Sequence, residues 1–212
     1  MRVGILGSGS VAKALAAGFL KRGHEVMLGT RTPAKLADWA KSNPTARISD
    51  VPATAAFADV IVLAVRGSVA LDVLRSAGES HLNGKTVIDT TNPIADSPPD
   101  HGVLRYFTTL DDSLMERLQR AFPAVQFVKA FNSVGNALMV DPVVEAGRPS
   151  MFICGNSEAA KTTVSGILDQ FGWQSEDMGG VEAARAIEPL CMLWCIPSFL
   201  GKGRHHAFKL VR

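Results

Sequence analysis

The chain is short of several residues on which enzymes often build chemistry. Tyr106 is the only tyrosine, and position 110 holds leucine, so no Tyr-x-x-x-Lys pair is available for acid–base work. No Ser/His/Asp set with suitable spacing is present either. The three cysteines, Cys154, Cys191 and Cys195, are odd in number and follow no pairing pattern, which excludes a disulfide scaffold. They point to the reduced cytoplasm. Charge of one sign is also lacking: 22 basic residues face 20 acidic ones, for a net +2. That balance excludes the basic field of a nucleic-acid binder, and the only basic cluster is "KGRHH" near the end. No apolar run reaches the ~18 residues of a membrane span. "MRVGILGSGS" enters an apolar run directly, without a charged leader, so no signal peptide is expected and a cytoplasmic protein is.

What is present is a rhythm. Short apolar runs alternate with longer stretches of helical spacing across 212 residues, enough for one sizeable domain. Strands are expected at 2–6, 25–29, 60–65, 85–93, 125–131 and 150–155. Helices are expected at 11–23, at 32–42 with a threonine cap and Pro33 in the first turn, and at 68–78. Further helices are expected at 110–122 with an acidic first turn, at 157–172 behind a serine cap, and at 181–196. Residues 94–109 form the longest irregular piece, either functional or an ordinary surface excursion. The implied architecture is α/β: a doubly wound, mostly parallel sheet with helices on both faces.

"GSGSVA" (7–12) follows the first strand and opens the first helix. Gly7 permits the tight turn, and Gly9 lets the backbone approach a pyrophosphate resting on the helix N-terminus. Ala12 stands in for the usual third glycine. This is a Rossmann-type dinucleotide fingerprint in its expected strand–turn–helix setting. At the end of the second strand, where an NAD-binding fold usually has a carboxylate, the chain reads "GTRTP" (29–33). A carboxylate there suits a ribose hydroxyl and repels a 2′-phosphate. Arg31 can grip such a phosphate with two parallel hydrogen bonds, Thr30 can add a hydroxyl and Lys35 a second cation. A charge-assisted bond of about 1.5–3 kcal/mol corresponds to roughly ten- to 150-fold preference. The expected ligand is NADP(H). An alternative reading has Arg31 stacking on adenine or capping the helix, with no choice between the two cofactors.

Six segments fall together in order and spacing: "VGILGSGSVAKALA", "GTRTP", "DTTNP", "VKAFNSVG", "ICGN" and "DMGG". From residue 1 to about 197 the chain resembles the NADP-dependent oxidoreductases that use the 8-hydroxy-5-deazaflavin coenzyme F-420. That family also includes the cytosolic NADPH domains of six-transmembrane metalloreductases. The resemblance implies that Gly7, Ser8, Gly9, Ser10 and Val11 hold the pyrophosphate and that Thr30, Arg31 and Lys35 hold the 2′-phosphate. It also implies that Ala64, Val65 and Arg66, Asn92 and Pro93, and Ala130, Phe131 and Asn132 flank the nicotinamide and its ribose. These segments follow successive strands, so they converge on the carboxyl edge of the sheet. Asn92 can equally be a turn residue before proline.

Taken together, the residues and the resemblance imply an NADPH-dependent oxidoreductase that passes a hydride to a deazaflavin or flavin-type acceptor. Direct transfer between two rings ~3–3.5 Å apart needs positioning and exclusion of water rather than a nucleophile. The acceptor is a small molecule: F-420, FMN or FAD, with a quinone or a metal chelate as alternatives. The competing functions are a non-catalytic NADP-binding, redox-sensing module and a small imine or hydroxy-acid reductase. Residues 1–180 form the NADP-binding Rossmann domain, and 181–212 a C-terminal helical extension packed on it or on a dimer partner. The apolar Leu190, Leu193, Trp194 and Ile196 suit core burial or a subunit interface, and the resemblance implies a homodimer. Arg66 could bind an acidic ligand tail or pair with a carboxylate, and the basic tail 197–212 could close the site or cap a dimer. His205 and His206 with Cys191 and Cys195 invite a metal reading, but small core cysteines and loop histidines account for them, and no metal is expected.

Overall fold

The computed structural model describes residues 1–145 and 147–212. The chain begins with β1 (Arg2–Leu6), α1 (Ser10–Lys21), β2 (Glu25–Gly29), a 3-10 turn at Pro33–Leu36 and α2 (Ala37–Ser42). It continues through β3 (Arg47–Ser49), α3 (Val51–Phe57), β4 (Val60–Leu63), α4 (Ala70–Ala77), α5 (Glu79–Leu82) and β5 (Thr86–Asp89). Then come α6 (Leu114–Ala121), β6 (Gln126–Lys129), β7 (Ser150–Ile153), α7 (Glu158–Gln170) and β8 (Gln174–Asp177). The last elements are α8 (Ala184–Ile187) and α9 (Leu190–Phe199).

Six strands pair in the order β3-β2-β1-β4-β5-β6, all parallel. This is the doubly wound nucleotide-binding order, with its reversal between β1 and β4. β7 and β8 form a parallel pair of their own. They meet β6 through an antiparallel bridge in which the Lys129 amide donates to the Cys154 carbonyl at 3.0 Å.

The strands alternate between two cores, as a sheet covered on both faces requires. Val60 and Val62 join Phe19, Phe131, Phe171 and Trp173 on the face covered by α1 and α7. Ile61 and Leu63 join Leu74, Leu118 and Phe127 on the face covered by α3, α4 and α6. The fully buried Phe19 and Phe171 pack with ring centroids 4.8 Å apart at 56°.

Several boundaries differ from the sequence reading. β5 ends at Asp89, and residues 90–93 turn along the sheet edge. α6 starts at Leu114 rather than 110, because a Ser113–Glu116 capping box fixes its first turn. Asp112 instead binds Arg117 and Arg120, each at 2.7 Å. Thr32 makes no side-chain cap; its amide donates to the Thr30 hydroxyl at 3.1 Å. The expected helix at 181–196 is a 3-10 turn at Val181–Ala183 followed by α8 and α9. Pro189 between the two helices has no N–H to continue the ladder. β3, α3, α5 and β8 are additions to the expected elements.

Val181, Ala184 and Ile187 pack into the second core, while Leu193 on α9 is 55% exposed. The tail lies along β7: the Ser150 amide donates to the Phe208 carbonyl at 2.9 Å, and the Leu210 amide to Ser150 Oγ at 3.1 Å. His205 is exposed and contacts the Val143 carbonyl through Nε2 at 3.0 Å. His206 is not an exposed loop residue; it is half-buried and stacked on Trp194. No helix is long and apolar enough to cross a membrane among the described residues.

Candidate functional site

A cleft opens where the sheet order reverses, between the loops that follow β1 and β4. Gly7 has φ +142°, and a Cβ there would lie 2.2 Å from the Ala64 carbonyl oxygen. The two loops therefore touch backbone to backbone, and only glycine fits. Its amide donates to the Gly29 carbonyl at 2.9 Å, tying the turn to β2. Gly9 begins α1 without any side-chain cap, and a Cβ on it would meet nothing within 4 Å. The first turn of α1 therefore meets the cavity through Ser10 and Val11 with its amides uncapped by any side chain, an arrangement suited to an anion.

The resulting cavity, of about 450 Å³, is lined at its centre by Gly7, Ser8, Gly9, Ser10 and Val11. Thr30, Arg31 and Lys35 line one end, and Ala64, Val65, Arg66 and Thr90 the other. Arg31 and Lys35 are exposed, and neither forms an ion pair among the described residues. Thr30 is buried, with its Oγ accepting the Thr32 amide, which leaves its hydroxyl proton free to donate.

A second cavity of about 530 Å³ shares Val65, Arg66 and Thr90 with the first. It adds Gly67, Thr91 and Asn92 and the run from Ile94 to Pro98, so the irregular 94–109 segment contributes a wall. Arg66 Nη1 stands 3.9 Å from Asp96 Oδ1, both side chains strongly exposed. Gly67 is wedged in place: a Cβ would lie 2.1 Å from the Asn92 carbonyl oxygen and 2.8 Å from Leu114 Cδ2.

Of the sequence-selected residues, Asn92 lines the second cavity, whereas Pro93, Ala130, Phe131 and Asn132 are buried behind it. Asn132 is hydrogen-bonded to Asn92. The Asn92 amide donates to the Asn132 carbonyl at 2.7 Å, and the Asn132 amide to Asn92 Oδ1 at 3.2 Å and the Ile187 carbonyl at 2.9 Å. Phe131 holds φ +61°, a conformation few non-glycine residues adopt.

Three groups escaped the sequence reading. Thr90 and Thr91 lie inside the quoted "DTTNP" run, and Gly67 follows "AVR"; the spacing of those motifs was the available signal. Tyr106 is half-buried, its hydroxyl donates to the Glu188 carbonyl at 2.8 Å, and burial holds its pKa above the usual phenol value. Burial pushes the Cys154 thiol up to about 12. Hydrogen bonding with Cys191 brings the half-buried Cys195 thiol down to about 7, against the effect of burial.

The family model described as "NADP oxidoreductase coenzyme F420-dependent" matches residues 2–93. A crystal structure from Arthrobacter sp. FB24, of a candidate F420-dependent NADP-reductase, superposes with a TM-score of 0.94. It is 31% identical, and the alignment covers 99% of each chain. Metalloreductase STEAP3 of Rattus norvegicus is 32% identical over 207 residues, which are 95% of this chain and 39% of that protein. The chain thus spans about two fifths of that relative's length. An imine reductase from Streptomyces aurantiacus, 17% identical, shares the fold with a TM-score of 0.69 over 95% of this chain and 64% of its own. With the glycine turn, the paired cations and the sheet order in place, this chain belongs to the family of coenzyme F420-dependent NADP oxidoreductases.

Proposed function

We infer that the protein transfers a hydride between NADP(H), held in the first cavity, and a deazaflavin or flavin-type ring in the second. The observation that carries this reading is the continuity of the two cavities through Val65, Arg66 and Thr90. Bound there, the nicotinamide cofactor supplies the hydride, and the protein need contribute no nucleophile. Arg31, Lys35 and Thr30 hold the 2′-phosphate, and the first-turn amides of α1 from Ser10 onward receive the pyrophosphate. Thr90, Thr91 and Asn92 wall the reacting end and keep one face dry. Arg66, with Asp96 as its only ion-pair partner among the described residues, is placed to meet an anionic tail on the acceptor.

The name of the metalloreductase relative favours a second reading, in which a metal chelate is the final acceptor. The exposed apolar Leu193 and Phe199 of α9, with Leu200 just beyond it, support pairing with a second copy, which sedimentation would detect.

The experiment is a label transfer. NADPH deuterated at the reacting carbon is mixed with 8-hydroxy-5-deazaflavin, and the label is sought on the reduced ring. Deuterium arriving undiluted by solvent is the expected result; hydrogen drawn from solvent would contradict direct transfer.

A further inference from the structure

The deepest polar cluster lies outside the cleft chemistry described so far. Lys129, at the end of β6, is fully buried, with Nζ 2.7 Å from Asp89 Oδ2 and 2.9 Å from Glu188 Oε1. The same ammonium donates to the Thr91 carbonyl at 2.9 Å. One cation therefore joins the end of β5, the loop beyond it and the turn between α8 and α9. Burial works against the ammonium, but the two carboxylates outweigh it and hold its pKa above the usual lysine value.

Net stability is a poor reason for such a cluster. Desolvation opposes the attraction, and an apolar set of the same volume often serves as well. Geometry is what the cluster does fix. Asp89 Oδ1 accepts from the Thr91 amide at 2.9 Å and from the Thr91 hydroxyl at 2.6 Å. With its carbonyl on Lys129, every polar group of Thr91 is held. Glu188 is anchored in turn by the Leu114 and Met115 amides at the N-terminus of α6, both at 3.0 Å. The clamp thus rests on a helix end whose dipole favours the carboxylate. What it clamps is cavity wall: Thr90, Thr91 and Asn92 line the second cavity, and Asn92 is further tied to Asn132 and through it to Ile187.

We propose that Lys129 is a positioning residue for the reaction: through Asp89 and Thr91 it sets the Thr90–Asn92 wall, and through Glu188 it fastens that wall to the C-terminal segment. The proposal rests on the reading that this wall receives the ring end of NADP(H). A wall displaced by about 1 Å is enough to spoil ring alignment, while contacts at the Arg31 end survive.

The test uses the whole chain and two ligands: NADPH, and 2′-phospho-ADP-ribose, which lacks only the nicotinamide. Lys129→Met is compared with Lys129→Met/Glu188→Gln, which removes one of the carboxylates left without a cation. In a folded variant, 2′-phospho-ADP-ribose should bind within about threefold of wild type. The nicotinamide emission per bound NADPH should fall to about half or less, because the ring is no longer held. Unchanged emission would overturn the proposal. So would a parallel loss of about tenfold or more for both ligands, which marks a collapsed cleft rather than a misplaced wall. Failure of both variants to fold would assign the cluster to stability and overturn it too. Failure of the unsubstituted protein to bind either ligand would remove the cavity reading itself, and is recognisable because no substitution is involved.

Discussion

At the residue scale, the proposed choice of cofactor rests on Arg31. Its guanidinium stands at the cavity mouth with Lys35 beside it and no carboxylate paired to it among the described residues. Arg31→Asp should weaken NADPH by roughly tenfold or more while leaving NADH little changed, read by calorimetric titration of both. Equal losses would leave the choice of cofactor elsewhere. The two glycines of the turn should separate binding from folding. Gly9→Val projects into open space, so the melting temperature should hold while cofactor binding is lost. Gly7→Ala drives a methyl into the Ala64 carbonyl at a positive φ and should cost more than about 2 kcal/mol of stability. These residues were legible because their meaning is local: a turn, a helix start, a selector position ~20 residues on. Lys129 was not. Nothing local in "VKAF" marks its lysine, and only the fold sets it between Asp89 and Glu188.

Among the elements, α6 has an acid-sensitive start. Arg185 donates to Glu116 at 2.6–3.1 Å, and the Ser113 amide and hydroxyl both reach Glu116 Oε2 at 2.8 Å. Hydrogen bonding from Arg185 first, against burial and with help from Ser113, holds the Glu116 carboxyl at about 2, below its ordinary 4.5. A depressed native pKa means that the unfolded chain binds the proton more readily. The stabilisation is therefore present above about pH 4.5 and is lost as pH falls toward 2. Glu116→Gln should cost about 1–2 kcal/mol at neutral pH. Thermal melts should show the gap to wild type closing across that acid window; a gap constant with pH would contradict the assignment.

The same helix shows why boundaries were harder to read than elements. Asp111 and Asp112 suggested an acidic first turn, but the reciprocal Ser113–Glu116 bonds start the helix later. "VPATAAF" carries no clear period, which hides α3 despite its Asp50 cap. The three-residue β3 was too short to separate from a loop, and "QSED" hides β8 because an edge strand needs few apolar side chains.

For the molecule as a whole, the doubly wound sheet was readable from its rhythm, since a strand buried on both faces leaves an apolar run. The role of the tail was not, because it pairs with β7, far away in the chain. No tail residue lines either cavity of the cleft. Deleting residues 204–212 should therefore lower the melting temperature through loss of the Phe208 and His206 contacts, yet leave NADPH affinity within about threefold. A larger loss of affinity would place the tail over the site after all.

In the proposed function this cleft brings a reduced nicotinamide to a second ring. The most direct measurement is anaerobic rapid mixing of the protein and NADPH with oxidised deazaflavin, FMN or FAD in turn, following the acceptor's visible absorbance. Fast bleaching of one acceptor is expected, matched mole for mole by NADPH loss and much slower with NADH. Tight NADPH binding with none of the three bleached would contradict it.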